Sequence, residues 1–325
     1  MHLALKLAPQ HSTQYADMTA RLARPELEAS PLGPHVRSLR EESLAGHAYL
    51  LADLDDGAPL DALGRLAATS ECFEYHAELG GAAGPFLRPL DASVAPFVPR
   101  EMAEARRYKG KTSEVFTRVL LNLALFATGE PLGARLRVLD PLAGGGTTLF
   151  AALALGHDVA GIEQSRKDVE TTGAFVREFC REARIPHREE RIARGPRRFT
   201  ITLGPRDDQR LLVLAEGDTR EADEILRTIP GGARFHAIVG DLPYGVQHDG
   251  AALELLASAL PAWSRLLAPG GVLGVAWDAT RVPRARVVET VAAHLDPIEE
   301  APYDALEHRV DRVIKKRDVV VARKR

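Results

Sequence analysis

Cysteine is nearly absent. Of 325 residues only Cys72 and Cys180 carry a thiol, and no Cys-x-x-Cys pair exists. Two lone thiols far apart argue against a structural zinc site and suit a reducing compartment, so no metal is expected. Long apolar runs are missing as well. None approaches the roughly 18 residues that span a bilayer, so no membrane role is expected. The opening Met1–Leu7 lacks a basic stretch, an apolar segment and a small-residue cleavage site, so no signal peptide and a cytoplasmic location are expected. A strong charge of either sign is lacking too. With a net charge of −3, any nucleic-acid contact would rest on local basic patches. Lysine is scarce, 7 against 35 arginines, which we read as genome composition. Internal repeats and low-complexity tracts are absent.

What is present is a chain with 45% apolar and 27% charged residues, the balance of a globular protein. Its length allows one large domain or two ordinary ones. Residues 1–104 alternate apolar runs (Leu3–Leu7, Ala48–Leu54) with helix-like segments. In Pro59–Leu79 the positions Leu60, Leu63, Leu66, Ala67 and Phe73 suit one helical face. A smaller α+β N-terminal domain is expected there. Prolines and glycines crowd residues 80–99 and predict an inter-domain connection. A helix is predicted over Arg100–Thr128, basic at its start (Arg106, Arg107, Lys109, Lys111) and apolar later (Phe116, Val119, Leu120, Leu123, Leu125).

From Arg135 the pattern changes to strand and helix in alternation. Strands are predicted at 136–140, 159–163, 211–214, 235–239, 271–277 and 319–322. Helices are predicted at 147–155, 165–184, 219–229, 253–267 and 283–295. Short apolar strands separated by helices argue for an α/β fold with a parallel, doubly wound sheet.

In such sheets ligands sit at the carboxyl ends of the strands, where the strand order reverses. Three apolar runs lead into an acid: Asp140, Glu163 and Asp218. Gly144, Gly145 and Gly146 follow the first, where they allow close backbone approach. A dinucleotide would prefer Gly-x-Gly-x-x-Gly or Ala, but Leu149 stands three after Gly146, which weakens that reading. A P-loop requires a lysine that Thr147-Thr148 does not supply. S-adenosylmethionine remains. Glu163, with Gln164 beside it, suits the ribose hydroxyls, since a carboxylate offers two acceptor oxygens. Asp218 and Thr219 suit the adenine end. Asp140, Pro141, Ala143, Gly144, Gly146 and Thr147 suit the amino-acid tail. A tight βα turn with capping acids and no ligand is the alternative.

Asp241-Leu242-Pro243-Tyr244 directly follows the fourth apolar run. Asp241 can accept one hydrogen of an exocyclic amine and the Leu242 carbonyl the other. Pro243 stiffens the turn, and the Tyr244 ring can stack on an extruded base, a contact worth roughly 1–3 kcal/mol. Two acceptors orient the nitrogen lone pair toward an electrophilic methyl, so positioning supplies most of the effect. An ordinary turn with a helix-capping Asp is the bland alternative.

Asp-Pro-Leu-Ala-Gly-Gly-Gly-Thr-Thr, Gly161-Ile162-Glu163, Gly217-Asp218-Thr219 and Asp241-Leu242-Pro243-Tyr244-Gly245 together resemble class I S-adenosylmethionine-dependent methyltransferases that modify amino groups of nucleic-acid bases. With the cofactor loop preceding the Asp-Leu-Pro-Tyr-Gly turn, the order looks like that of the tRNA guanosine 2-amino methyltransferases. Many bacterial DNA amino-methyltransferases carry the reverse order. The resemblance covers residues 105–325. It implies a Rossmann-like seven-stranded sheet, mostly parallel with the last strand antiparallel, and an RNA partner, tRNA in the first place. It also implies that Arg107–Glu114, with Lys111 and Thr112, packs over the cofactor. Leu242 stands where the family often has Pro, and only the carbonyl of that residue is used.

His187–Arg198 reads as a basic insertion within 186–209, whose Arg188 and Arg191 could meet phosphates or form a solvated charged surface. Trp277 could line the base pocket or belong to the core. Lys111, Thr112, Arg188, Arg191 and Trp277 are thus the candidate substrate contacts. The expected activity is methyl transfer to an exocyclic base amine, guanosine N2 in tRNA being the leading acceptor. A DNA adenine or cytosine amino-methyltransferase and a nucleotide-binding scaffold without turnover are the rivals.

Overall fold

The computed structural model describes residues 1–9, 13–106, 111–190, 197–244, 250–310 and 315–325. In the N-terminal region β1 (His2–Leu7), α1 (Thr13–Ala29), β2 (Val36–Leu44), β3 (His47–Leu54), β4 (Thr69–Leu79) and β5 (Ala82–Leu90) follow one another. Then come α2 (Glu101–Ala105), α3 (Glu114–Ala127), β6 (Arg137–Asp140), α4 (Thr147–Ala154), β7 (Asp158–Glu163) and α5 (Arg166–Glu182). Next are β8 (His187–Glu190), β9 (Arg198–Leu203), β10 (Arg210–Glu216), α6 (Ala222–Ile225) and β11 (Phe235–Asp241). The chain ends with α7 (Ala251–Leu266), β12 (Leu267–Asp278), α8 (Arg284–Ala292), β13 (Asp296–Pro297), β14 (His308–Arg309) and β15 (Lys316–Arg323).

Two compact units result: residues 1–95 with 299–318, and residues 96–298 with 319–325. A single crossing near residue 104 was the expectation; instead a C-terminal segment returns to the first unit. That unit is built on an antiparallel sheet of order β2-β3-β1-β4-β5, with α1 packed on β1 and β3. The helix expected over Pro59–Leu79 is a 3-10 turn at Leu60–Arg65 followed by β4. The helical spacing holds only through Leu66. Beyond it Phe73 and Tyr75 alternate with Cys72, Glu74 and His76, and the period of two wins. Gly80 and Gly81, both with left-handed φ, turn β4 into β5, so the first half of the expected connection is a hairpin turn and a strand. Buried Glu26 on α1 accepts N–H bonds from Ala67 (2.9 and 3.0 Å) and Ala68 (2.8 Å), fixing the entry to β4.

The second unit carries the large sheet, of order β13-β15-β12-β11-β6-β7-β10-β9-β8. Counted from β6, its seven-stranded part runs 3-2-1-4-5-7-6, the doubly wound, Rossmann-like α/β order of class I methyltransferases. β6, β7, β10, β11 and β12 are parallel to their neighbours among these. The Lys324 N–H reaches Gly271 O at 2.8 Å, so the end of β15 meets the first half of β12, as an antiparallel neighbour requires. The middles of the core strands are apolar because helices cover both faces; Trp263, Phe235 and Leu260 anchor one of these layers.

The structure departs from expectation in three further places. The basic insertion at 186–209 is an antiparallel extension, β8 and β9 pairing beyond β10, because Phe199, Ile201 and Leu203 alternate inward. The single helix at Arg100–Thr128 is two, α2 and α3; Ser113 caps the second by accepting from Phe116 N–H at 3.5 Å. The helix at 219–229 shortens to a 3-10 turn at Thr219–Glu221 and the single turn α6. Among the described residues no helix is long and apolar enough to cross a membrane.

Candidate functional site

β6, β7 and β11 lie side by side, β6 ending two residues short of its neighbours, with Asp140 in register with Gly161 and Leu139 with Ile238. Each ends in an acid, so strand pairing alone brings Asp140, Glu163 and Asp241 to one edge of the sheet. The chain leaves β6 through Pro141, packed near Gly240 of β11, where a Cβ would stand 3.5 Å from the Pro141 ring. Ala143 N–H donates to Ile162 O at 2.9 Å and Gly146 N–H to Ala143 O at 2.7 Å, curling the loop over the end of β7. The curl requires φ +48 at Gly144 and +87 at Gly146, the left-handed region that glycine enters at no steric cost. Gly146 then caps α4, and as a glycine it offers no side-chain cap.

Glu163 ties this loop to the next one. One carboxylate oxygen accepts from Gly144 N–H at 2.9 Å and the other from Ser165 N–H at 2.7 Å. Ser165 caps α5, while Gln164 between them is exposed. Gly217 N–H donates to Glu163 O at 3.1 Å, which sets the turn after β10 beside β7. In that turn Asp218 caps the 3-10 segment and pairs with Arg220, which holds its carboxyl below the ordinary range.

Asp140 is buried, and its environment is the most unusual in the unit. Burial lifts its carboxyl from 3.8 to about 7, with the charges of Asp241 and Glu163 adding to the effect. Bonds from Leu142 N–H (3.0 Å) and the Thr148 hydroxyl oppose it only in part. A buried carboxyl facing two further carboxylates is a site short of positive charge, and that is the fit expected of a cationic ligand.

Asp241 is half-buried, and hydroxyls engage both of its oxygens. Thr112 donates to Oδ2 at 2.8 Å, and Tyr244 to Oδ1. Leu242 points its side chain into the core and donates its N–H to Ala276 O at 2.9 Å, fixing the turn on β12; Pro243 is exposed. Lys111 bonds the Glu104 carbonyl at 2.9 Å and pairs with Glu114, so its charge is engaged between α2 and α3.

Three sequence candidates stand elsewhere. Trp277 is 1% exposed and donates Nε1–H to Val282 O at 2.8 Å, which makes it a core residue with no face for a base. The Thr219 hydroxyl is buried and accepts from Trp263 Nε1–H at 3.0 Å, a structural bond. Arg188 on β8 pairs in register with Thr202, and Thr202 with Leu211. Leu211 lies five residues before the end of β10, so Arg188 is about 16 Å below the site's edge and five strands, roughly 24 Å, from β11. A charge count along the sequence cannot tell which end of a sheet a residue occupies. Arg191 lies outside the described residues, as do His248 and the Gly245 of the turn.

Two residues of the site went unread in the sequence. Arg106 donates to the Gly145 carbonyl and the Thr172 hydroxyl, with its guanidinium 5.8 Å from the Phe175 ring centroid. The Thr148 hydroxyl bonds Asp140. The second threonine of Gly-Gly-Gly-Thr-Thr carried that signal, since a first-turn residue of α4 faces back over the loop. Nothing in the sequence separates Arg106 from the basic residues beside it.

The fold has low-level likenesses among solved structures. TrmN from Thermus thermophilus is similar over 89% of this chain, with 19% identity and a TM-score of 0.43; the match spans 60% of the TrmN chain. The T. thermophilus 16S rRNA N2 G1207 methyltransferase RsmC, in complex with AdoMet and guanosine, gives 17% identity and 0.40 over 95% of this chain and 63% of its own. A TehB-like SAM-dependent methyltransferase from Corynebacterium glutamicum gives 16% and 0.39 over 70% and 94%. No family model matches, and no curated protein sequence does. Among the described residues no group of three or more His, Cys, Asp or Glu is arranged to hold a metal ion.

Proposed function

We propose that the chain transfers a methyl group from S-adenosylmethionine to an exocyclic amine of a nucleic-acid base, guanosine N2 in tRNA being the leading acceptor. The observation that carries this reading is the meeting of Asp140, Glu163 and Asp241 around a left-handed glycine loop, with the catalytic turn on the same edge. In this reading Asp140, Pro141, Ala143, Gly144, Gly146 and Thr147 surround the amino-acid tail. Glu163 and Gln164 face the ribose, and Asp218 the adenine. When bound, the cofactor supplies a methyl group on a positively charged sulfur.

The chain's own residues supply position and acceptors. Asp241 accepts one amine hydrogen and the Leu242 carbonyl the other; the bond from Leu242 N–H to the Ala276 carbonyl ties the preceding peptide, between Asp241 and Leu242, to β12. Thr112 and Tyr244 hold the Asp241 carboxylate, and one of them yields its bond as the amine arrives. The Tyr244 ring then serves as the stacking surface for the base. Asp241 takes up or relays the amine proton once the nitrogen has become cationic. The first unit, in this reading, helps to position the RNA.

The test is incubation of the full chain with S-adenosylmethionine and either undermodified tRNA or genomic DNA, followed by nucleoside mass spectrometry. N2-methylguanosine in the tRNA is the expected product. Methylated adenine or cytosine in the DNA, with unmodified tRNA, would replace this acceptor by the DNA one. Absence of cofactor binding in calorimetry would overturn the reading altogether.

A further inference from the structure

Asp140, Glu163, Asp218 and Asp241 stand at or just past the ends of β6, β7, β10 and β11. A pocket so rich in acids attracts the cationic parts of S-adenosylmethionine and repels the carboxylate of its amino-acid tail. Binding that tail therefore requires a local positive charge. Lys111 is paired with Glu114, and Arg220 with Asp218. Arg106 is set apart by its place on the loop. Its half-buried guanidinium lies against the glycine turn itself, held by the Gly145 carbonyl, the hydroxyls of Thr172 and (at 3.4 Å) Thr171, and the Phe175 ring. The same loop opens α4, whose first-turn N–H groups have no side-chain cap at Gly146.

We infer that Arg106 is the counter-charge for the carboxylate of the cofactor's tail, and that through Gly145 it holds the glycine loop in the shape that receives this tail. The inference rests on the S-adenosylmethionine reading given above. A guanidinium presents its N–H donors in a planar fork that matches a carboxylate, and it stays charged at every working pH. Its bonds to Thr171 and Thr172 on α5 hold the guanidinium beside the loop. Arg106 is thus a binding and positioning residue. It takes no part in the proton chemistry at Asp241.

Calorimetry on the full chain with two ligands tests this: S-adenosylmethionine, and its decarboxylated form, which lacks only the carboxylate. The unaltered protein should prefer S-adenosylmethionine by about tenfold or more, the order of magnitude that one charge-assisted hydrogen bond supplies. Arg106→Gln should weaken S-adenosylmethionine by about the same factor and leave the decarboxylated ligand within about twofold. An equal loss for both ligands would show that Arg106 only shapes the loop, and no change for either would remove it from the site; both results overturn the inference. Should the Gln variant melt early by circular dichroism, Arg106→Lys decides instead: because it keeps the charge it should retain the preference for S-adenosylmethionine over the decarboxylated ligand, and loss of that preference would overturn the counter-charge role. If the unaltered protein binds neither ligand, the cofactor reading fails as well. If it binds S-adenosylmethionine and the Gln variant binds it equally, only this inference fails.

Discussion

Replacing Asp140 by Asn removes the most perturbed titration of the site while keeping an oxygen for Leu142 N–H to bond. In the folded chain the Asp140 carboxyl holds its proton up to about pH 7; unfolded, it titrates near 3.8. Because the folded value is the higher one, the group contributes stability that is complete below the unfolded pKa and is lost as pH rises through the folded one. Its largest worth over that span is about 4 kcal/mol, at about 1.4 kcal/mol for each pH unit, and water entry will reduce it. Urea titrations between about pH 4.5 and about 8.5 should show the unaltered protein losing stability across this window relative to Asp140→Asn. Near the lower limit the two should be similar, and above pH 7 the Asn variant should be the more stable, since it never buries the ionised group. Parallel curves would refute the reasoning, because they would mean that Asp140 is ionised throughout and that another group balances it.

Other perturbations read other parts of the unit. Asp241→Ala should abolish methyl transfer while calorimetry still registers cofactor binding; undiminished transfer would remove Asp241 from the chemistry. Glu163→Ala removes the acceptor of Gly144 and Ser165 N–H. It should raise the cofactor Kd by roughly tenfold or more and lower the melting temperature, and unchanged affinity would contradict the ribose assignment. Gly146→Ala forces a Cβ to φ +87 and to 3.1 Å from the Phe150 ring, so a loss of roughly 1–3 kcal/mol in stability is expected from urea titration. Thr219→Val should cost no more than about 1 kcal/mol, since the Trp263 N–H keeps the Thr219 carbonyl at 3.3 Å, with cofactor affinity unchanged. Arg188→Ala should leave transfer to tRNA as it was, and a large loss would require β8 to meet the acceptor away from the sheet edge.

The strands that carry the acids were legible because each announces itself twice, as an apolar run and as the acid that ends it. Asp140, Glu163 and Asp241 needed only the rule that parallel strands end at one edge. What was not legible depends on which of two periodicities prevails, or on partners distant in sequence. Pro59–Leu79 satisfies a helical face for two turns before alternation takes over at Phe73. Strand β8 contains no apolar residue at all, and the backbone of β9 alone recruits it. Trp277 occupies a strand end, where a pocket residue would stand, yet its N–H finds Val282 and its ring is enclosed. Thr112 meets Asp241 across 129 positions, a contact that no local pattern encodes.

Those long-range bonds also bear on how ready the site is. Glu163 already accepts two N–H bonds, and each carboxylate oxygen retains a second lone pair, so ribose hydroxyls can add to this arrangement without breaking it. Asp241 differs. Two hydroxyls donate to it, and a hydroxyl rotates at little cost, so an incoming amine can displace one without moving the backbone. In the proposed reading the ribose side, Glu163, is thus held by main-chain N–H groups and the acceptor side, Asp241, by side-chain hydroxyls. A rigid half that fixes the methyl group and a yielding half that admits a base from solution are what a positioning mechanism demands, and that division follows from which donors face which carboxylate.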